Sequence, residues 1–119
     1  RLASAHSEQL KQINMSCENS ITGGFWSSAL GENYFYDSQL EDQLNMAGVM
    51  LTAGDTVYAC RDESGLKDFR PHSNAQMRRV GEDFTRLRQQ LLQRANTLKS
   101  ILDEALEAGD LAAIEVVTW

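Results

Sequence analysis

The feature that most constrains this fold is one long apolar periodicity in the C-terminal half of the chain. Apolar residues recur there at steps of three or four, the spacing of one face of an α-helix. They are Met77, Val80, Phe84, Leu87, Leu91, Ala95, Leu98, Leu102 and Ala105. Ser73 and Gln76 form a capping-box sequence ahead of this run, and Gly109 can stop the helix behind it. The sequence therefore predicts one helix over residues 74–107, with a single stutter in a near-heptad seam.

The length of this helix raises the question of what covers it. At 1.5 Å per residue it would reach about 51 Å, more than the roughly 35 Å diameter of a compact domain of this size. Part of the seam would then lie in solvent, at Leu91, Leu98 and Leu102. Monomers rarely tolerate such a patch, so we expect a homo-oligomer that buries these three leucines. The alternative is a monomer whose helix is broken at Gly81 or near the stutter.

Two shorter helices are predicted in the N-terminal half. Residues 1–19 carry apolar side chains at helical spacing. Residues 38–51 begin with Ser38 and Glu41 in capping-box spacing, which makes Ser38 the predicted N-cap. The predicted buried face of this second helix consists of Leu40, Leu44, Ala47 and Met50 or Leu51.

The C-terminal tail is too apolar to be left in water. Asp110 can cap a last short helix over residues 111–117, whose apolar side chains include Leu111 and Ile114. We therefore expect the tail to fold back and largely bury Trp119.

Two β-hairpins complete the predicted architecture. The first covers residues 24–37 and turns at 31–33, with aromatic residues of strong strand preference on both sides. The second pairs residues 56–62 with 66–70 across a polar turn that ends at Gly65. The whole chain reads as an α+β fold, dominated by helices, in which both hairpins pack with the N-terminal, middle and long C-terminal helices.

Composition limits the classes of function. A chain of 119 residues fits a single domain over residues 1–119, and its longest apolar run is too short to span a membrane. The net charge of −6 argues against a nucleic-acid-binding surface over the whole protein. Residues 67–99 hold eight basic and three acidic side chains, but acids and bases there fall at intrahelical pair spacing, and most of the aromatic residues lie in the first hairpin. We expect neither a nucleic-acid partner nor a membrane partner.

The side chains that could carry chemistry form no recognisable catalytic or metal pattern. Cys17 and Cys60, with His6 and His72, supply the ligand types of a zinc site, but none of them is a close pair. Two buried free thiols are the preferred interpretation, although a disulfide between the two cysteines stays open. Carboxylates at the start of the second helix suit the helix dipole without any substrate. The sequence therefore predicts no enzyme, no metal and no cofactor.

Several motifs resemble a known but uncharacterised family. They include I-T-G-G-F-W-S-S-A-L-G over residues 21–31, Y-F-Y-D-S over 34–38, E-D-Q-L-N over 41–45, F-R-P-H over 69–72 and the terminal Trp119. In this order and spacing they resemble a bacteriophage and prophage domain found at the C-terminal end of tail fibre or tail fibre assembly proteins. Because the chain begins at Arg1, we expect it to be the C-terminal domain of a longer protein of this kind.

The resemblance implies a role without implying a reaction. It suggests a non-enzymatic module that joins, folds or caps a tail protein, with other phage tail proteins as partners. The expected location is the bacterial host cytoplasm during assembly, or the virion tail. The motif residues predicted to form a polar network or a contact surface are Asp37, Asp42, Gln43, Asn45, Ser27 and Ser28. The alternatives are a hydrolase acting on a host-surface glycan and nucleic-acid binding through the basic helix 74–107.

Overall fold

A computed structural model describes all residues from 1 to 119 and confirms the helix-dominated α+β fold. Its elements follow the chain as α1 (Leu2–Thr22), β1 (Phe25–Ser27), β2 (Tyr34–Tyr36), α2 (Leu40–Leu51), β3 (Thr56–Arg61), β4 (Lys67–His72), α3 (Asn74–Glu107) and α4 (Leu111–Glu115). No candidate membrane-spanning segment is found among these helices. Two compact units can be distinguished, one of residues 1–20 with 89–119 and one of residues 21–88.

The unit of residues 21–88 contains the sheet. Its four strands follow the order β1-β2-β3-β4, and all neighbours are antiparallel. Both predicted hairpins are present, and they join through one register pair, Phe35 with Arg61. Strand β4 is longer than predicted, because Pro71 is tolerated in an edge strand where its missing N–H is not needed.

The inner face of this sheet is an aromatic core. Phe25 packs against Tyr36 and against Phe84 of α3, with ring centroids 5.6 and 5.3 Å apart. The Tyr36 hydroxyl lies 2.7 Å from His72 Nε2, and His72 Nδ1 lies 2.7 Å from the carbonyl oxygen of Arg70. A carbonyl only accepts, so Nδ1 carries the proton and Nε2 accepts the Tyr36 hydroxyl. The buried imidazole is thereby satisfied in its neutral form.

This arrangement predicts a loss of stability in mild acid. Burial lowers the pKa of His72 below its ordinary value of 6.5, so the unfolded chain binds the proton more readily than the folded one. The free energy of unfolding should therefore be at its full value above about pH 6.5 and fall as the pH drops below it. Urea unfolding of the protein and of His72→Gln between about pH 7.5 and 5 checks this expectation. An equal pH slope for the two proteins would contradict it.

Helix α2 differs from the sequence prediction in its start and in its buried face. It begins at Leu40, with Gln39 as N-cap and the Asp42 carboxylate accepting the Gln39 N–H at 3.0 Å. The prediction that Ser38 is the N-cap is wrong. Its fully buried hydroxyl instead donates to the Ile21 carbonyl at 2.6 Å and accepts the Gly24 N–H at 2.8 Å.

The buried face of α2 is also not the predicted one. Met46 is buried and Met50 is half-buried against Gly81, whereas Leu40, Leu44, Ala47 and Leu51 are all exposed. The predicted apolar stripe is real, but it points to solvent. Periodicity alone shows that a helix has an apolar face, and cannot show that another element covers it.

The start of α3 is as predicted. The Ser73 hydroxyl accepts the Gln76 N–H at 3.1 Å, and the Gln76 side chain accepts the Ser73 N–H at 2.8 Å, so the capping box is complete.

Ser73→Ala should reduce the free energy of unfolding by about 1 kcal/mol, because it removes the partner of an otherwise unpaired backbone donor. Thermal melting measures the change. Ser28→Ala in the exposed turn of the first hairpin is the control, and an equal loss in both variants would contradict the capping role.

The unit of residues 1–20 and 89–119 is built on helices. Its buried residues are Ile13, Cys17, Ala95, Leu102, Ala105, Ile114 and Val117. Helix α3 is continuous from Asn74 to Glu107, without a break at Gly81 or at the stutter. Of the three seam leucines, Leu91 and Leu98 are partly exposed, but Leu102 is 0% exposed. The prediction that Leu102 lies in an exposed seam is therefore wrong.

The tail folds back as expected. The Gln9 amide donates to the carbonyls of Ile114 and Glu115 at 3.2 and 3.0 Å. Asp110 caps α4, which ends at Glu115 and is thus shorter than predicted. Trp119 is partly exposed instead of largely buried; the Arg94 guanidinium lies over its ring at 4.3 Å. A cation thus covers one face of an indole that the helices do not fully bury.

Candidate binding face

The outer face of the sheet brings two aromatic rings and two cations into one row. The register pairs Trp26 with Phe35, Phe35 with Arg61, and Arg61 with Lys67. Residues directly opposite each other in antiparallel strands project to the same side. The cross-sheet row, as we call these four residues, therefore crosses all four strands on one face. At about 4.8 Å per strand it extends over roughly 14 Å.

The aromatic end of the cross-sheet row is well ordered by packing. The Trp26 and Phe35 rings meet edge to face, with centroids 5.2 Å apart and planes at 69°. The Phe35 ring lies directly on Gly24, where an added Cβ would come within 2.1 Å of it. Trp26 is nevertheless 52% exposed. A large ring held in one orientation and open to solvent is suited to contact another molecule.

The charged end of the row is organised by Asp37. Its carboxylate accepts hydrogen bonds from Lys67 Nζ at 2.9 Å and from Arg61 Nη2 at 3.4 Å. The hydrogen bond from Lys67 lowers the pKa of Asp37, the charge of Arg61 adds to this, and partial burial opposes both. One carboxylate therefore holds two cations in place, and the cations keep it ionised.

A cavity of about 360 Å³ lies beside the charged end, between α2 and strands β3 and β4. Asp42, Asn45 and Val49 of α2 line one wall, and Val57 and Phe69 line the other. Phe69 is 68% exposed and Val57 is 60% exposed. Apolar side chains thus lie on both sides of the Asp37 ion pairs.

The free edge of β4 is poorly suited to add another strand. The Phe69 N–H donates to the carboxylate of Asp68 at 2.8 Å, and Pro71 has no N–H to offer. An edge that has lost donors in this way resists strand pairing. The edge of β4 is therefore protected against pairing with a strand of another molecule.

The residues predicted as one polar network take part in separate contacts. Asp37 holds the cations, Asp42 caps α2, and Gln43 donates to the Ser38 carbonyl at 2.9 Å. Asn45 is exposed in the cavity wall. A single buried network of these side chains is therefore not formed, although Asp37, Asp42 and Asn45 share the cavity.

The two serines of the predicted site lie away from the outer face. Ser27 pairs with Tyr34 on the inner side of the sheet, where its hydroxyl donates to the Asp83 carboxylate at 2.6 Å. Ser28 is exposed in the turn, and its carbonyl accepts the Gly31 N–H at 2.9 Å. Both have structural contacts that fix the first hairpin.

Sequence reasoning missed most of the outer face. It assigned the aromatic residues and the basic residues to different regions, because Trp26 and Phe35 are far from Arg61 and Lys67 in the chain. The available signal was the alternation within each strand, which places Trp26 opposite in direction to Phe25 and Ser27. No sequence pattern indicated which residue of β2 pairs with which residue of β3.

No three His, Cys, Asp or Glu side chains lie close enough together to hold a metal ion. Cys17 and Cys60 are both buried free thiols. This resolves the pairing that the sequence had left open.

The chain is thus a small α+β domain, and the outer face of its sheet is exposed to solvent and ordered by side-chain packing. Over residues 4–117 the chain matches a family described as a domain of unknown function, DUF4376, and it belongs to that family. The predicted resemblance to an uncharacterised domain is thereby confirmed. No curated protein and no solved structure matches the chain significantly.

Proposed function

We propose that this domain is a non-enzymatic interaction module of phage or prophage tail proteins, which joins, folds or caps another tail protein. The observation that carries the proposal is the cross-sheet row with its exposed apolar neighbours. Trp26 and Phe69 stand 52% and 68% exposed on one sheet face, on either side of the ion pairs of Asp37. The tail context comes from the sequence motifs alone.

The proposed contact follows the usual anatomy of a protein interface. Tryptophan and arginine are the side chains that most often dominate binding energy, and they do so where neighbouring groups exclude water. Here Trp26 and Phe69 would be the apolar anchors. Arg61 and Lys67, already oriented by Asp37, would give specificity for a partner with acceptor groups between two apolar contacts.

The face favours a protein partner over a nucleic acid. Two rings beside two cations could also stack and pair with single-stranded nucleic acid. However, the Asp37 carboxylate binds both cations, and Asp42 lines the same cavity. The face is close to neutral, and a polyanion would gain little from it.

The same contacts make Asp37 unsuitable as the general acid of a glycan hydrolase. A glycosidase of the usual kind needs one carboxylic acid that keeps its proton near neutral pH. The pKa of Asp37 is lowered by Lys67 and Arg61, the opposite of what a general acid requires. Its partners suit a fixed ion pair in a contact surface.

During assembly such a module would act in the bacterial host cytoplasm, or it would remain in the virion tail.

Binding to the tail proteins encoded beside this chain tests the proposal. Co-expression and co-purification identify the partner, and calorimetry then gives Kd for the protein, for Trp26→Ala and for Phe69→Ala. Each substitution should weaken binding by about 30-fold or more, as for anchor residues of an interface. Val116→Ala, which changes another strongly exposed apolar residue outside this face, should leave Kd unchanged.

Three outcomes would overturn the proposal. They are no association with any neighbouring tail protein, an unchanged Kd in both sheet variants, and tight salt-dependent binding of a single-stranded oligonucleotide that quenches Trp26. The last would favour the nucleic-acid alternative.

A further inference from the structure

The outer side of α2 is an apolar surface that the rest of the chain leaves uncovered. Leu40, Leu44 and Leu51 are 68%, 66% and 89% exposed. At 3.6 residues per turn, these leucines and Ala47 fall within about 60° of the helix circumference. We call these four residues the leucine stripe. It offers roughly 450 Å² of apolar area, as large as the largest patch on many monomers and large enough to mark a contact site.

A groove runs along the stripe. It has a volume of about 250 Å³ and lies between α2 and the first part of α3, with Met46, Met50, Gly81 and Phe84 among its walls. Gly81 allows this shape, because Met50 packs so closely on it that an added Cβ would come within 2.1 Å of the Met50 sulfur. Ala47 belongs to both features and joins the protruding leucines to the groove.

A glycine next to the stripe faces open space. Gly48 lies in the interior of α2, where glycine costs about 1 kcal/mol relative to alanine. An added Cβ at Gly48 would meet nothing within 4 Å. Such a position exposes bare backbone and lets a second helix approach closely. A helix from another molecule would use the space that this chain leaves empty.

We propose that a second copy of this chain covers the leucine stripe, with the two α2 helices antiparallel about a two-fold axis. The stripe reads nearly the same in both directions. An antiparallel pair places Leu40 of one copy opposite Leu51 of the other, and Leu44 opposite Ala47 and Gly48. Leucine side chains thus contact each other at the two ends of the interface, and in its centre Leu44 contacts the small residues Ala47 and Gly48. A surface that matches itself in this way suits an isologous interface.

Charge selects the antiparallel orientation. The charged residues of α2 are Glu41 and Asp42, both in its first turn. A parallel pair would bring four carboxylates together at one end, whereas an antiparallel pair keeps them at opposite ends. There each acidic first turn lies beside the C-terminal end of the partner helix, away from the other acids.

The buried area sets the expected strength. The stripe supplies about half of the roughly 800 Å² per partner of a standard interface, and the adjoining groove adds to it. The dimer is therefore weak, with a Kd in the micromolar range. This contact leaves Trp26 and Phe69 free, so it is independent of the proposed partner site on the sheet.

Sedimentation velocity of the 119-residue chain tests the dimer. Between about 1 and 200 µM the mass should rise from 13.3 kDa toward twice that value. Leu44→Glu should remain monomeric throughout, with circular dichroism confirming that it folds. Leu92→Glu is the matched control, because Leu92 is an exposed leucine on α3, 42% exposed, and this variant should still dimerise.

A monomer at the highest concentration would overturn the proposal. So would a dimer that Leu92→Glu abolishes and Leu44→Glu does not, which would place the interface on the face of α3 that carries Leu92 instead.

Disulfide crosslinking tests the orientation. The native cysteines are buried, so introduced thiols on α2 are the reactive ones. Leu40→Cys mixed with Leu51→Cys should yield a crosslinked dimer under mild oxidation, and each variant alone should yield little. Efficient crosslinking of Leu40→Cys with itself would indicate parallel helices and refute the two-fold arrangement.

Discussion

Replacing Leu102 by alanine is expected to lower the free energy of unfolding by about 2–5 kcal/mol. The Leu102 side chain is 0% exposed and lies in the helical core of its unit. Deleting three carbons there removes apolar burial and leaves a cavity that the surrounding side chains fill only in part. Urea unfolding followed by circular dichroism measures the change in midpoint.

Leu92→Ala is the matched control for this prediction. It makes the same chemical change in the same helix, at a side chain that is 42% exposed. Surface changes of this kind usually alter stability by less than about 1 kcal/mol. Equal losses in the two variants would mean that Leu102 is not a core residue, and the exposed seam predicted from the sequence would then be restored.

Replacing Gly24 by alanine is expected to cost about 2–4 kcal/mol and to disturb the aromatic end of the cross-sheet row. Gly24 has a φ of +88°, which costs any other residue about 1–2 kcal/mol. A Cβ there would also lie 2.1 Å from Phe35 Cζ, so the ring must move. Moving it away from Trp26 should change the indole fluorescence, measured with Trp119 replaced by Phe.

Gly31→Ala separates the two causes. Gly31 has a similar φ of +97°, but an added Cβ there meets nothing within 4 Å. This variant should lose only the backbone part, about 1–2 kcal/mol, and its Trp26 fluorescence should be unchanged. If both variants lose the same stability and keep the same fluorescence, the packing of Phe35 on Gly24 has no energetic role.

The sequence predicted the local elements well where the signals were local. The capping box of Ser73 and Gln76, the polar turn ending at Gly65 and the stop at Gly109 are all present. The helix stop is complete, because the Gly109 N–H bonds to the Leu106 carbonyl and the Asp110 N–H to the Ala105 carbonyl. Each of these features depends on residues a few positions apart, so the chain encodes them directly.

Two of the failures concern choices between competing polar partners. Ser38 had the spacing of an N-cap, but its hydroxyl bonds instead to the end of α1 and to Gly24, so Gln39 becomes the cap. Asp37 was expected in a polar network, yet two cations from β3 and β4 bind it. A side chain takes the best partner available in space, and that partner came from elsewhere in the chain.

By itself, the sequence determined which segments are helices, which are strands and where most of them end. Helical period, capping and turn chemistry are properties of neighbouring residues. Only the tertiary structure decided that Leu102 is covered and that Leu44 is not, and that one pair, Phe35 with Arg61, joins the two hairpins into a sheet. Burial and register depend on what packs against an element. Of two apolar faces with the same periodicity, one can therefore be buried while the other is exposed to solvent.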